Sequence, residues 1–308
     1  MRRKAHRSPL LRAFAESHGL SMTGLLRREE GAIYWLLRGN RAVKEGLRDA
    51  ANPLDQTDAV WAILLSMLDR TFEYAEGAII AYTTGAMASS EIISRAVIES
   101  AISLVFIIAD DRKGDRLSRY FAHYFNKEDR EIDHWLKAAS GLNAHDRAIQ
   151  EQAAIEKRDG LKVQRRMLDE SLAEIGLPTT AATGLANWPS VADRFKALNR
   201  ELDYRTIYAA LCSQTHNDAE DLLNYFFSKA TDDKSLLEIV GLEAVTFSRM
   251  MLYFGLDYYL MAAASYALRL DLKESYDVID GGRKDISAAL REITRELEAL
   301  ERSQPSTS

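Results

Sequence analysis

The stretch that decides the fold is SEIISRAVIESAISLVFIIAD, residues 90–110, in which apolar residues recur every three or four positions. That spacing is typical of an α-helix. A helix that is apolar on nearly every side is buried, yet Arg95 and Glu99 stand in the middle of this one. Because burying an ion costs several kcal/mol unless pairing and hydrogen bonds compensate, these two charges need partners or a cleft.

The rest of the chain has the same helical spacing, and only five prolines interrupt its 308 residues. The sequence therefore predicts an all-α fold, a multi-helix bundle with a helical N-terminal extension. Proline and polar loop signals divide the chain into a basic helical extension over residues 1–52, a single α-helical domain over 53–302 and a disordered tail over 303–308.

Glycine and serine residues predict several helix ends. A helix near residues 22–38 should close at Gly39 and Asn40, and Ser89 or Ser90 should cap the start of the helix quoted above. Separate helices are expected near 115–125 and 127–140. A final helix is expected over SAALREITRELEALERS, residues 287–303.

Composition limits the class of protein. The chain is 47% hydrophobic and 28% charged, which is ordinary for a soluble globular protein. Its net charge of -6 is uneven, since residues 1–48 carry eleven Lys/Arg against four Asp/Glu. Such a basic arm either meets nucleic acid or packs on the acidic body of the protein.

Cys212 is the single cysteine, so the chain has no internal disulfide and no cysteine-rich zinc site. This favours a reducing compartment, and the basic N-terminus lacks the apolar core of a secretory signal. We therefore expect a cytoplasmic protein. No membrane association is expected, because the most apolar stretches carry charges such as Arg95 and Asp257, which oppose insertion.

Two polar constellations are candidates for a site. On the helix quoted above, Arg95 and Glu99 lie one turn apart and share a stripe with Glu91. The second constellation is YRTIYAALCSQTH, residues 204–216, which includes a histidine able to act as acid or base near neutral pH. Each set is open to two interpretations, a site or a structural network. The residues of the second set that we single out are Tyr204, Tyr208, Ser213 and His216.

Metal and cofactor motifs are weak or missing in this sequence. Glu131 and His134 have the Glu-x-x-His spacing of di-iron bundles, but such bundles need that motif twice, and their neighbourhood predicts an exposed helix. The sequence contains no glycine-rich phosphate loop and no His-Glu-x-x-His motif. We therefore predict neither a metal nor a cofactor.

Together these motifs resemble a bacterial family known only as a domain of unknown function. The pattern is Arg95-x3-Glu99, then Trp188 with Arg194, then Tyr204-x3-Tyr208-x4-Ser213-x2-His216, and the resemblance covers roughly residues 55–230. It implies an all-helical cytoplasmic protein, in some members near anti-phage or mobile-element genes. It also implies that the polar residues of the two helices belong together, with Arg95 near His216.

A more distant similarity is to helical nucleases of the higher-eukaryote-and-prokaryote nucleotide-binding (HEPN) type. Those enzymes use an arginine and a histidine five or six residues apart on one helix, without a metal. This chain departs from that pattern, since Arg130 and His134 have three residues between them and Arg205 and His216 have ten. A nuclease would therefore need Arg95 to replace the missing arginine in space.

Two functions remain open. The favoured one is a ligand-sensing or partner-binding module in bacterial defence, a homo-oligomer with MMLYFGLDYYLM, residues 250–261, as its interface. The alternative is a metal-independent ribonuclease or nucleotide-binding effector, acting on RNA or a nucleotide. In it His216 is the acid or base, Arg95 stabilises phosphate charge and Glu99 orients Arg95, while Tyr204, Tyr208 and Ser213 bind the ligand.

Overall fold

The computed structural model describes residues 7–49, 59–109, 114–182, 187–214, 226 and 234–303. These residues are almost entirely helical and contain no strand, so the prediction of an all-α, multi-helix fold is confirmed. The chain forms two compact units. The first is built from the described parts of 1–55, 61–108 and 191–308, and the second from those of 56–60 and 109–190.

The described residues form a series of helices. In chain order they are α1 (Arg7–Ser17), α2 (Gly24–Arg28), α3 (Glu30–Asp49), α4 (Ala59–Thr83), α5 (Met87–Ile108), α6 (Asp115–Ala139), α7 (Ala144–Glu174), α8 (Val191–Ala197), α9 (Glu201–Asp203), a π-helical turn (Tyr204–Tyr208), α10 (Ala209–Gln214), α11 (Lys234–Arg269) and α12 (Lys273–Ser303). Helices α6 and α7 belong to the second unit.

Helix α11 forms the centre of the first unit and packs against α3, α5 and α12. At Gly255 it comes so close to α5 that an added Cβ would lie 3.4 Å from the Cβ of Ser94. Most of residues 250–261 are buried within this unit. The prediction that this segment is a dimer interface is therefore wrong, because its apolar face is covered by the same chain.

Two glycines within helices of the first unit, Gly39 and Gly282, allow close packing. Helix α3 runs through Gly39 and Asn40, where a helix end was expected. A Cβ on Gly39 would lie 2.6 Å from Cδ2 of Leu260, so the glycine lets α3 approach α11. Helix α12 likewise begins at Lys273, well before the expected residue 287, and runs through Gly282.

Helix α5 begins at Met87, ahead of the serines expected to cap it. Ser90 is fully buried, and its Oγ donates a hydrogen bond to the carbonyl of Ala78 on α4 at 2.9 Å. One residue later, the buried Glu91 accepts a hydrogen bond from Oγ of Ser248 on α11. These polar groups therefore attach the start of α5 to its neighbours.

The second unit is a hairpin of α6 and α7, with α6 unbroken where two helices were expected. Asn143 caps α7, since its Oδ1 accepts a hydrogen bond from the backbone of Asp146 at 3.0 Å. Glu131 and His134 are exposed on α6, as expected for a surface helix. The buried residues joining the two helices are Phe125, Ile132, Ala154 and Leu161.

None of the described helices is long and apolar enough to cross a bilayer. In α11 the charge of Asp257 is paired, because both carboxylate oxygens accept hydrogen bonds from Arg283 at 3.2 and 3.3 Å. This pair joins α11 to α12.

Candidate functional site

Tyr208, at the end of the π-helical turn, joins that turn to α5. Its hydroxyl donates a hydrogen bond to Oε2 of Glu99 at 2.8 Å and accepts one from Nε of Arg95 at 3.4 Å. Arg95 and Glu99 lie one turn apart on α5, so they share this hydroxyl. Helix α5 and the π-helical turn, which the family resemblance predicts to meet, are thus in side-chain contact. We call Arg95, Glu99 and Tyr208 the Arg95 cluster.

Arg194 on α8 adds a second guanidinium to the Arg95 cluster. Its Nη2 lies 3.8 Å from Oε1 of Glu99. The Arg194 side chain is 5% exposed, whereas the Glu99 side chain is 43% exposed. The Glu99 side chain therefore contacts a buried guanidinium and is itself partly open to water.

Aromatic rings pack against the Arg95 cluster. Tyr204 and Tyr208 stack with ring centroids 5.5 Å apart and planes 22° apart. Phe195, which is fully buried, lies 5.7 Å from Tyr204 and 5.8 Å from Tyr208. The guanidinium carbon of Arg95 is 5.3 Å from the centroid of the Tyr208 ring, within cation–π range.

The π-helical turn sets the direction of the two tyrosines. The backbone N–H of Ala209 donates to the carbonyl of Tyr204, five residues earlier, which defines this geometry. Such turns are rare and are frequent at functional sites. The turn is anchored just before its start, because Asp203 accepts hydrogen bonds from Tyr258 of α11 at 2.7 Å and from Arg200 at 2.8 Å.

Burial affects the ionisation of the tyrosine in the Arg95 cluster. It raises the pKa of Tyr208 to about 12; Arg95 opposes this rise and Glu99 adds to it. The hydroxyl therefore keeps its proton at neutral pH and acts as a hydrogen-bond donor. Arg95 and the neighbouring Arg194 supply guanidinium groups, whose N–H groups match the oxygens of carboxylates and phosphates.

Three residues of the predicted motif lie elsewhere or outside the described residues. His216 is outside them, and so is the side chain of Ser213, although its backbone belongs to α10. The proximity of Arg95 to His216 therefore stays a prediction. Trp188 packs edge-on against Tyr120 within the second unit, with ring centroids 5.3 Å apart.

Sequence reasoning missed Phe195, which supports both tyrosines of the π-helical turn. It also missed a second network of charges, which we call the Glu29 network and define by Glu29, Arg249, Tyr253 and Glu296. In this network Nε of Arg249 donates to Oε1 of Glu29 at 2.9 Å, and its Nη1 lies 3.5 Å from Glu296. Glu29 is fully buried, and burial raises its pKa although Arg249 opposes the rise.

Comparison with known proteins identifies a family. A family model described as "Family of unknown function (DUF5677)" matches residues 62–235, which is more than half of the chain. The matched segment includes Arg95, Glu99, Arg194 and Tyr208. No curated protein matches the chain, and no solved structure does.

Proposed function

We propose that this chain, which belongs to the family of unknown function DUF5677, is a ligand-sensing module that binds a phosphate-bearing ligand at the Arg95 cluster. The observation that carries the proposal is that the Tyr208 hydroxyl joins Arg95 to Glu99, while Arg194 approaches Glu99 from another helix. The Glu99 side chain is 43% exposed, although that of Arg194 is 5% exposed. A carboxylate so placed can exchange with an anion from solvent.

The chemistry of the side chains supports a phosphate. A guanidinium presents its N–H groups in a planar fork that matches carboxylate and phosphate oxygens alike. An incoming phosphate can therefore take the position of the Glu99 carboxylate beside Arg95 and Arg194. The Tyr208 hydroxyl, which now donates to Glu99 at 2.8 Å, would donate to a phosphate oxygen in its place.

The aromatic part of the cluster favours a nucleotide over inorganic phosphate. Tyr204 is half-buried and stacks on Tyr208, which in turn lies beside Arg95. Nucleobases stack on aromatic rings with about 1–3 kcal/mol per base. A nucleotide can thus use the arginines for its phosphates and the tyrosine pair for its base.

The alternative function, a metal-independent ribonuclease, depends on His216. Among the described residues of the cluster, Tyr208 cannot serve as a base near neutral pH, because its pKa is raised to about 12. This observation supports binding ahead of catalysis. RNA remains a proposed ligand because it offers the same phosphates and bases.

The setting of the module is also a proposal. The single cysteine supports a cytoplasmic location, and the resemblance on which the sequence analysis drew supports a role in bacterial defence. A homo-oligomer is proposed as well, with an interface other than residues 250–261, since that segment forms the core.

The proposed function can be tested by calorimetric titration of the chain with ATP, AMP, inorganic phosphate and adenosine. We expect ATP to bind at least about tenfold more tightly than adenosine, because only ATP has phosphates for the two arginines. Arg95→Gln should weaken ATP binding by a similar factor. The matched control is Arg302→Gln, since Arg302 is 73% exposed and pairs only loosely with Glu298 at 3.9 Å.

Two results would overturn the proposal. One is equal affinity for adenosine and ATP, and the other is equal weakening by Arg95→Gln and Arg302→Gln. The same samples should be incubated with single-stranded RNA and a chelator. Cleavage that disappears in His216→Ala would replace the binding function with the ribonuclease.

A further inference from the structure

The carboxylate of Asp203 is the point where α11 contacts the start of the π-helical turn. Asp203 directly precedes the turn, and its Oδ2 accepts hydrogen bonds from the hydroxyl of Tyr258 at 2.7 Å and from Nη1 of Arg200 at 2.8 Å. Tyr258 belongs to α11 and is only 2% exposed. Because a buried hydroxyl without an acceptor is costly, this bond holds both groups in place.

Arg200 links the same carboxylate to the chain on either side of it. Its guanidinium carbon lies 5.5 Å from the centroid of the Tyr258 ring, within cation–π range. Its backbone N–H donates to the carbonyl of Phe195 at 2.8 Å, and its own carbonyl accepts the N–H of Tyr204 at 3.2 Å. The partner of Asp203 is therefore itself bound to α8, to the turn and to α11.

Phe195 gives α11 a second contact with the tyrosines of the turn. Its ring centroid lies 5.9 Å from that of Tyr258. It also lies 5.7 and 5.8 Å from the centroids of Tyr204 and Tyr208, and all three distances are within the range of aromatic pairs. Tyr258 therefore reaches the turn in two ways, through its hydroxyl at Asp203 and through its ring at Phe195.

The π-helical geometry depends on contacts from outside the turn. The turn closes an i→i+5 hydrogen bond, from the N–H of Ala209 to the carbonyl of Tyr204, and such turns are rare. A change to i→i+4 bonding would remove one residue from the turn and rotate the residues after it by about 100° about the helix axis. The hydroxyl of Tyr208 would then leave its position between Arg95 and Glu99. Its position thus depends on what holds the start of the turn.

We propose that Asp203 and Tyr258 are positioning residues of the ligand site, and that through them α11 sets the affinity of the Arg95 cluster for its phosphate-bearing ligand. This inference rests on the proposed function. Both residues act through Tyr208, whose hydroxyl lies 2.8 Å from Glu99. Because coupling between two positions is reciprocal, ligand binding at the Arg95 cluster should in turn stabilise the bond between Tyr258 and Asp203.

The first test compares two neighbouring tyrosines of α11. Tyr259 is buried like Tyr258, but its hydroxyl has no hydrogen-bond partner within the part of the chain that the structure describes. Tyr258→Phe and Tyr259→Phe therefore remove the same atom, and only the first removes a contact with Asp203. In calorimetric titration with ATP, Tyr258→Phe should weaken binding about fivefold, which corresponds to one hydrogen bond of about 1 kcal/mol. Tyr259→Phe should stay within about twofold of the wild type.

A second comparison separates positioning from a general loss of stability. In the Tyr208→Phe background the hydroxyl through which α11 acts is absent, so Tyr258→Phe should change ATP affinity by less than about twofold. A purely structural role would weaken binding by the same factor in both backgrounds. Asp203→Asn keeps an oxygen that accepts the Tyr258 bond and should retain more ATP affinity than Asp203→Ala. Each variant is titrated at a temperature where its circular dichroism spectrum shows it folded.

A readout without ligand separates failure of this inference from failure of the proposed function. With tyrosine labelled with carbon-13, the ring signal that is missing in Tyr208→Phe reports the surroundings of Tyr208. That signal should shift in Tyr258→Phe and stay unchanged in Tyr259→Phe. If it shifts while the wild type binds no ATP, the proposed function fails and the positioning of Tyr208 by α11 stands.

Three results would overturn the positioning role. The first is a Tyr208 signal that is unchanged in Tyr258→Phe. The second is equal weakening of ATP binding by Tyr258→Phe and Tyr259→Phe. The third is a loss of affinity in Tyr258→Phe that is the same with and without the Tyr208 hydroxyl.

Discussion

The Arg95 cluster and the Glu29 network are built from the same residue types, arginine, glutamate and tyrosine, but differ in exposure. In the Glu29 network the carboxylate is fully buried and its arginine contact is 2.9 Å. In the Arg95 cluster the Glu99 side chain is 43% exposed, and its contact with Arg194 is 3.8 Å. The short contact lies in the core and the long one at the surface.

The difference shows how exposure separates a structural role from a binding role. A buried carboxylate such as Glu29 has lost its water and requires a permanent partner, so its removal leaves an uncompensated charge. An exposed carboxylate such as Glu99 keeps part of its hydration, and its partners can be shared with a ligand. The same chemistry thus stabilises the fold in one place and supports a site in the other.

The largest expected effect is on the Glu29 network. Glu29→Ala leaves Arg249 without its closest partner in the core, and we expect it to lower the free energy of unfolding by about 3–5 kcal/mol. Glu99→Ala should cost less, because the Glu99 side chain is 43% exposed and lies 3.8 Å from Arg194, and exposed ion pairs contribute little. Urea denaturation of both variants measures the difference. Equal losses would contradict the distinction between the two regions.

The next effect is the pH dependence that Tyr208 confers. Its folded pKa is raised to about 12, from an ordinary value of 10.0. A raised pKa contributes stability that is complete below the unfolded pKa and is lost as pH rises through the folded one, here between about pH 10 and 12. From pH 9 to 12 the wild type should lose about 2 kcal/mol more than Tyr208→Phe.

Other tyrosines titrate in both proteins, so the comparison of wild type with Tyr208→Phe cancels their contribution. Tyr82, for example, also has a pKa raised to about 12, chiefly by burial. Denaturation curves at pH 9 and pH 12 are sufficient for the test. If both proteins lose the same stability, the Tyr208 hydroxyl is open to solvent and its pKa is not raised by burial.

The smallest expected effect on stability comes from Glu99→Gln. The amide keeps the shape of the side chain, and we expect a change below about 1 kcal/mol. Affinity for ATP should rise by about fivefold, because the substitution removes a repulsion of about 1 kcal/mol between the carboxylate and a phosphate about 4 Å away in water. Calorimetry measures this, and Glu298→Gln serves as the control. Weaker ATP binding would mean that Glu99 orients Arg95 for the ligand and does not compete with it.

Local patterns in the sequence predicted the part of the site that depends on helix periodicity. Arg95 and Glu99 are one turn apart, and so are Tyr204 and Tyr208, so each pair could be assigned to one face. The π-helical turn could not be found this way, because Tyr204 and Tyr208 are four residues apart in the sequence whether the turn is α-helical or π-helical. Phe195 is apolar and belongs to no sequence motif. Its role is seen only in its packing against the rings of Tyr204 and Tyr208.

Tertiary contacts account for the predictions that were wrong. The residues next to Gly39 in the sequence predict a helix end there. Gly39 instead lets α3 pack closely against Leu260, more than two hundred residues later. Arg249 and Glu29 are equally distant in sequence. Residues 250–261 were correctly interpreted as apolar, yet composition alone does not tell whether the covering surface belongs to the same chain or to another copy.

The most direct test of the central claim measures ATP affinity and thermal unfolding on the same samples of Arg95→Gln and Arg249→Gln. We predict that Arg95→Gln loses at least tenfold in ATP affinity while its Tm stays within about 2 °C of wild type. Arg249→Gln should show the reverse, a lower Tm with ATP affinity preserved at a temperature where it is folded. If Arg95→Gln lowers the Tm as much as Arg249→Gln and leaves ATP affinity unchanged, the Arg95 cluster is a structural network and the account is wrong.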